Sequence, residues 1–189
     1  MSTPQTPSLT GRTVAFLAAD GVERVELVDP WHAVEQAGGT PVLVSLSDGE
    51  ITSMDGDIDP SERFTVDRTV ADAQATDFDA LVLPGGVANP DSLRADQDAV
   101  AFVRAFFDDG RPVAAICHAP WTLIDAGVVA GRTLTSFPSV ATDLRNAGGT
   151  WVDEEVHVSD GLVTSRNPDD LPAFCATLVR EFADGGAAR

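Results

Sequence analysis

Short, continuous apolar runs alternate along the chain with longer segments whose apolar residues recur at helical spacing. The runs predict buried strands at residues 13–18, 41–46, 80–84 and 112–116. The longer segments predict helices at residues 25–37, 96–109, 121–129, 141–147 and 170–182. Strands that are apolar throughout and separated by helices are typical of a parallel sheet with helices on both faces. The pattern therefore predicts an α/β fold.

Two further segments have a weaker pattern. Residues 50–69 are mostly polar and contain Asp-Gly and Asp-Pro steps, so they predict short strands or a hairpin. Residues 156–158 and 162–164 predict a pair of strands around Asp160 and Gly161. Neither segment changes the prediction of a sheet that is mainly parallel.

The length of the chain, 189 residues, is that of one ordinary domain. We expect a single domain over residues 11–182, preceded by a flexible tail at residues 1–10 and followed by a tail at residues 183–189. The first ten residues have neither the basic nor the apolar region of a signal peptide. No apolar run approaches the length that spans a bilayer. These features predict a cytoplasmic protein.

The chain is strongly acidic. Asp and Glu number 30 against 12 Arg and no Lys, which gives a formal charge of −18. Binding to nucleic acid or to an anionic membrane requires basic residues, so neither is an expected partner. Acidic residues spread over a whole surface repel one another less in high salt, and we expect a halophilic protein. A high-GC codon bias that disfavours Lys is the alternative explanation.

Ligands of open α/β sheets bind beyond the carboxyl ends of the strands. The strand at 112–116 runs directly into Cys117 and His118. A sharp strand-to-helix turn at this place is typical of a nucleophile elbow, which exposes a reactive side chain. The other interpretation of Cys117 is a small buried apolar residue. Cys175 lies on the apolar face of the last predicted helix, and we expect it to pack in the core.

Another strand ends at Pro84, Gly85 and Gly86. Two glycines allow a tight bend that directs backbone N–H groups toward a neighbouring site, as an oxyanion hole requires. A phosphate loop is excluded because no Gly-Lys-Ser/Thr follows, and the first strand lacks a dinucleotide fingerprint. The two cysteines have no zinc-ligand spacing. We therefore expect no cofactor and no metal.

Four segments together resemble the PfpI/ThiJ family of intracellular proteases, protein deglycases and glyoxalase-like proteins. They are Ala18-Ala-Asp-Gly-Val-Glu-Arg-Val-Glu-Leu27, Leu81-Val-Leu-Pro-Gly-Gly86, Ala115-Ile-Cys-His-Ala-Pro120 and Thr164-Ser-Arg166. The resemblance extends from about Gly11 to Phe182. It implies a single-domain, flavodoxin-like sandwich of the glutamine-amidotransferase-like type, with a nucleophile elbow.

The resemblance also implies roles for individual residues. Cys117 matches the nucleophile, and Glu23 matches a protonated carboxyl group that hydrogen-bonds the sulfur. Gly86 and the backbone of His118 match the oxyanion-hole donors, and His118 matches the histidine that follows the nucleophile. A third carboxylate, supplied in the PfpI branch by a neighbouring subunit, corresponds to Asp91, with one residue inserted before it. A shorter side chain makes this match the weakest of the set.

Three functions remain open. The first is a stress-response enzyme in which Cys117 adds to a reactive aldehyde or to its adduct on a glycated protein. The second is an intracellular cysteine peptidase that uses His118 as its base. The third is a redox sensor in which Cys117 is reversibly oxidised. The resemblance further implies a homo-oligomer, either a dimer or a hexamer.

Overall fold

A computed structural model of the chain describes residues 7–185. The strands are β1 (Thr13–Leu17), β2 (Val22–Glu23), β3 (Thr40–Ser45), β4 (Glu50–Asp55), β5 (Asp59–Thr65), β6 (Arg68–Thr69), β7 (Ala80–Leu83), β8 (Val113–Ile116), β9 (Thr133–Leu134), β10 (Thr150–Trp151), β11 (Val156–Ser159) and β12 (Leu162–Ser165). The α-helices are α1 (Arg24–Gln36), α2 (Ala88–Ala95), α3 (Gln97–Asp108), α4 (Pro120–Asp125), α5 (Ala141–Asn146) and α6 (Leu171–Ala183).

A seven-stranded sheet with the order β11-β12-β8-β7-β1-β3-β6 forms the centre of the molecule. Its strands are parallel except at one edge, where β11 pairs with β12 in the antiparallel direction. The predicted α/β fold with a mainly parallel sheet is therefore confirmed. The predicted hairpin in residues 50–69 is also present, as β4 and β5.

Both faces of the central sheet are buried, as the unbroken apolar strands predict. On β1, Val14 and Phe16 belong to the core that includes α1 and α6. Ala15 and Leu17, which alternate with them, belong to the second core, which includes α3 and α4. Successive side chains of a strand point to opposite faces, so a strand between two layers of helices must be apolar at every position.

Two helices differ from the prediction. The helix expected at 121–129 ends at Asp125, because the chain then turns through Gly127, whose φ of +70° favours glycine. Helix α2 was not predicted, since Leu93 is its only large buried apolar side chain and no apolar stripe exists. Its Pro90 is tolerated because it lies in the first turn, where the missing N–H would have no helical partner.

The domain is slightly longer than predicted at both ends. Leu9 is fully buried, and its N–H donates to the carbonyl of Ala37 at 2.8 Å, so it belongs to the core rather than to a tail. At the other end, α6 continues through Ala183. The rest of the two predicted tails, residues 1–6 and 186–189, lies outside the described residues. Within residues 7–185, no helix is long and apolar enough to cross a membrane.

A small second sheet, with the order β2-β4-β5, brings a hairpin to the carboxyl end of the central sheet. Val22 and Glu23 pair in parallel with Ser53 and Met54, which places the β4–β5 turn beside the start of α1. The candidate site lies at the same end, where β7 and β8 finish.

Candidate active site

Cys117 occupies a sharp turn between β8 and α4. Its φ of +62° lies in the left-handed region, which costs a residue other than glycine about 1–2 kcal/mol. Neighbouring segments hold the turn, since the N–H of Cys117 donates to Ser165 at 3.1 Å and its carbonyl accepts from Phe137 at 2.9 Å. The predicted elbow is thus present. The helix after it has only six residues, so its dipole favours a thiolate less than a longer helix would.

The carboxyl group beside the sulfur belongs to Glu26, not to Glu23 as predicted. Glu26 is fully buried, and its carboxyl group lies beside the side chain of Cys117. Its Oε2 accepts the N–H of Gly85 at 3.0 Å, while Oε1 has no hydrogen-bond partner among the described residues. Glu23 lies at the start of α1 and turns away, because its Oε2 accepts the N–H of Asp57 at 3.1 Å.

Glu26 is protonated at neutral pH. Burial, together with the nearby charge of Glu23, raises the pKa of Glu26 to about 8, against the opposing hydrogen bond from Gly85. A neutral carboxyl has one O–H to donate, and the side chain within its reach that needs a donor is Cys117. The sequence analysis therefore predicted a protonated carboxyl group beside the sulfur correctly, but the residue that carries it is Glu26.

The Gly85 and Gly86 amides have different roles. The N–H of Gly85, predicted as an oxyanion donor, is already used by Glu26. The N–H groups of Gly86 and His118 interact with the Cys117 sulfur, where they favour the thiolate. These two remain the candidates for an oxyanion hole. The buried side chain of Asn89 fixes this loop, since its Nδ2 donates to Pro84 and Gly85 at 2.9 and 3.0 Å.

His118 is held on all sides. Its Nδ1 lies 3.1 Å from the sulfur of Cys117, and its Nε2 lies 3.1 Å from the hydroxyl of Ser139. Its ring stacks on Phe137, with centroids 4.6 Å apart, and contacts Trp121 on another side. Burial lowers the pKa of His118, so the ring is neutral at neutral pH. The hydroxyl of Ser139 can donate to Nε2 or accept from it, so Nδ1 can face the sulfur as a donor or as an acceptor.

Asp91 does not contact His118 within one chain. It lies in the first turn of α2, exposed, and pairs with Arg94 at 2.8 Å. The guanidinium of Arg94 in turn covers the ring of Trp121, with 4.9 Å to the ring centroid. Ser139 contacts Nε2 of His118, the ring nitrogen that a third carboxylate would contact. A role for Asp91 in a neighbouring copy stays a prediction.

The free thiol of Cys117 is not strongly activated in this arrangement. Burial raises its pKa, and the charge that Glu26 carries when ionised raises it further. When Glu26 is protonated, the contribution of its charge disappears, whereas that of burial remains. Cys117 is only 5% exposed, so access to the sulfur is narrow. Among residues 7–185, no group of three His, Cys, Asp or Glu side chains could hold a metal ion.

The sequence analysis did not select Glu26, Asn89 or Ser139 as residues of the site. Glu26 carried a detectable signal, because it lies four positions before Pro30 and adjacent to Leu27 on the buried face of α1. A charged residue at a core position of a helix points to a special environment. Ser139 lies in a single 3₁₀ turn (Pro138–Val140) 21 residues after His118, and no spacing rule links the two.

This chain is similar to known proteins over most of its length. The model of the DJ-1/PfpI family matches residues 12–181. Deglycase PfpI of Pyrococcus furiosus is 41% identical over 167 residues, which cover 88% of this chain and 97% of that protein. "Putative cysteine protease YraA" of Bacillus subtilis is 43% identical over 164 residues, covering 86% and 94%. The crystal structure of Drosophila melanogaster DJ-1beta superposes with a TM-score of 0.82 at 28% identity, covering 91% of this chain and 90% of that one.

Proposed function

The chain belongs to the DJ-1/PfpI family, and on this premise we propose that it is a cysteine-dependent enzyme acting on reactive aldehydes or their adducts on proteins. The observation that carries the proposal is the elbow itself, where a strained Cys117 faces a neutral carboxyl and two backbone amides. Relatives named as deglycases support this class of substrate.

For an α-oxoaldehyde, the residues of the site support the following steps. The Cys117 sulfur forms a bond to the aldehyde carbon as its proton passes to Nδ1 of His118, 3.1 Å away. The carbonyl electron pair moves to oxygen, where the Gly86 and His118 amides stabilise the charge. His118 returns its proton to that oxygen, and the neutral ring then moves a proton from the former aldehyde carbon to the adjacent carbon. With a proton shift between the two oxygens, the adduct becomes a thioester of a hydroxy acid. Water cleaves the thioester and regenerates the thiol. The net reaction adds one water and needs no oxidant.

Burial of the sulfur favours a small substrate over a polypeptide. With 5% exposure, Cys117 is accessible to a molecule of a few atoms or to a single modified side chain. A protein substrate would have to bring a main-chain carbonyl through the same opening. Small-molecule carbonyl chemistry therefore fits the shape of the site better.

A peptidase is the second candidate. The 3.1 Å contact between Cys117 and His118 and the name of the Bacillus subtilis relative favour it. Against it, Nε2 of His118 contacts Ser139, and no carboxylate among residues 7–185 of the same chain bonds to the imidazole. We propose that a homo-oligomer could supply Asp91 to a neighbouring site, which would change this balance. A redox sensor is less favoured, because burial raises the pKa of the thiol.

Two assays on the wild-type protein separate the candidates. We expect conversion of methylglyoxal to lactate, followed by an enzymatic lactate assay, and no cleavage of casein followed by release of acid-soluble peptides. Casein cleavage without lactate formation would establish the peptidase instead. Conversion of Cys117 to a sulfenic acid by low peroxide, with neither activity, would favour the sensor.

A further inference from the structure

An exposed aspartate lies at the rim of the candidate site and is not part of the chemistry described above. Asp57 is in the turn between β4 and β5 and has a φ of +67°. Its N–H donates to the carboxylate of Glu23 at 3.1 Å, and its Oδ1 accepts the N–H of Val87 at 2.8 Å. Its side chain is thus fixed although it is exposed.

These hydrogen bonds place the charge of Asp57 over the oxyanion loop. Val87 directly follows Gly86, and a Cβ built on Gly86 would lie 3.3 Å from Oδ1 of Asp57. The charge reaches both reacting side chains, since it acts on Cys117 and on His118. The charge of Asp57 therefore also acts on an electrophile that has reached the sulfur.

Among residues 7–185, no arginine pairs with Asp57. Arg24, on the first turn of α1, pairs with Asp55 at 2.8 Å, and Arg94 pairs with Asp91. Glu23, which faces Asp57, is another acid, and Glu26 is neutral at pH 7. The rim of the site therefore carries net negative charge.

We propose that Asp57 is a specificity-determining residue, which disfavours anionic electrophiles at Cys117 and selects neutral or cationic carbonyl compounds. The substrate class rests on the proposed function, but the charge effect acts on the thiol whatever reaction follows. In the proposed enzyme, methylglyoxal and adducts on cationic side chains would be accepted, while an aldehyde that carries a carboxylate, such as glyoxylate, would be disfavoured.

Alkylation of Cys117 tests the proposal without an enzyme assay. Rates with neutral iodoacetamide and anionic iodoacetate are measured at pH 7 and low salt, with peptide mass spectrometry to separate Cys117 from Cys175. The ratio of the two rates cancels changes in the thiolate fraction. Asp57→Asn keeps an oxygen for the Val87 amide and removes the charge. We expect it to raise the relative rate of iodoacetate about threefold, and 1 M KCl to remove the difference.

Two further variants make the result specific. Asp57→Gly retains the backbone freedom at this turn, and it should shift the ratio as much as Asp57→Asn does. Asp160→Asn is the matched control, because Asp160 also has positive φ, at +47°, but lies in the turn before β12, at the opposite end of the sheet. Its ratio should equal that of the wild type.

An unchanged ratio in Asp57→Asn, or an equal shift in Asp160→Asn, would overturn the proposal. A shift in Asp57→Gly alone would also overturn it, since the effect would then be structural. If the wild type converts no aldehyde, the proposed function fails while the alkylation ratio still decides the role of Asp57. If it does, Asp57→Asn should also raise kcat/KM for glyoxylate about threefold relative to methylglyoxal.

Discussion

Relative to the wild type, a variant with Glu26 replaced by Gln should gain about 3 kcal/mol of free energy of unfolding between pH 5 and pH 8. Burial raises the pKa of Glu26 from 4.5 to about 8, so the native state holds a proton that the unfolded state releases. Wild-type stability therefore falls as pH rises between these two values. Gln has no proton to lose, and its oxygen can still accept the N–H of Gly85.

Urea denaturation of both proteins at pH 5, 6, 7 and 8 measures this difference. Glu35→Gln is the matched control, because Glu35 is an exposed glutamate of the same helix. Its difference from the wild type should stay constant within a few tenths of a kcal/mol. A Glu26→Gln difference that does not grow with pH would show that Glu26 is ionised in the native protein.

Replacing Gly86 by Ala should destabilise the protein by about 3 kcal/mol and lower turnover at least about a hundredfold. Gly86 has a φ of +82°, and a Cβ there would lie 2.6 Å from the carbonyl of Gly21 and 2.8 Å from the amide of Glu23. Both neighbours are backbone atoms, so the oxyanion loop must move. The amide that faces the sulfur would then be displaced.

Gly110→Ala separates the cost of a positive φ from the cost of the close contacts around Gly86. Gly110 also has positive φ, at +67°, but a Cβ there would meet no atom within 4 Å. It should cost only about 1 kcal/mol, the backbone penalty alone, and leave turnover unchanged. Thermal or urea unfolding and lactate formation measure both effects. Equal losses in the two variants would mean that close packing around Gly86 does not matter.

The central sheet could be predicted from the sequence because its strands are apolar on both faces. Val14 to Leu17 have no polar position, which only a strand between two layers of helices tolerates. Helix α2 gave no such signal, since hydrogen bonds of Asn89 to the ends of β1 and β7 fix it more than an apolar stripe does. Local patterns predict elements that packing defines, and they miss elements that a tertiary polar contact defines.

The elbow was predictable for a similar reason, whereas the carboxyl group beside the sulfur was assigned to the wrong glutamate. Cys117 ends a continuous strand, so its place follows from the sheet alone. Glu23 and Glu26 are three residues apart at the start of the same helix, and the family motif by itself does not show which one faces inward. The helical register decides, because Glu26 lies on the face of Leu27, Pro30 and Val34. Counting that apolar face would have selected Glu26.

Lactate formation from methylglyoxal by Cys117→Ser, compared with Cys175→Ser, tests the central claim most directly. Cys117 provides the nucleophile at the elbow, whereas Cys175 is a half-buried thiol of α6 whose pKa burial raises to about 12. We predict that Cys117→Ser lowers kcat/KM at least about a thousandfold, while Cys175→Ser stays within about twofold of the wild type. Lactate formation at similar rates in the two variants would contradict a covalent role for Cys117.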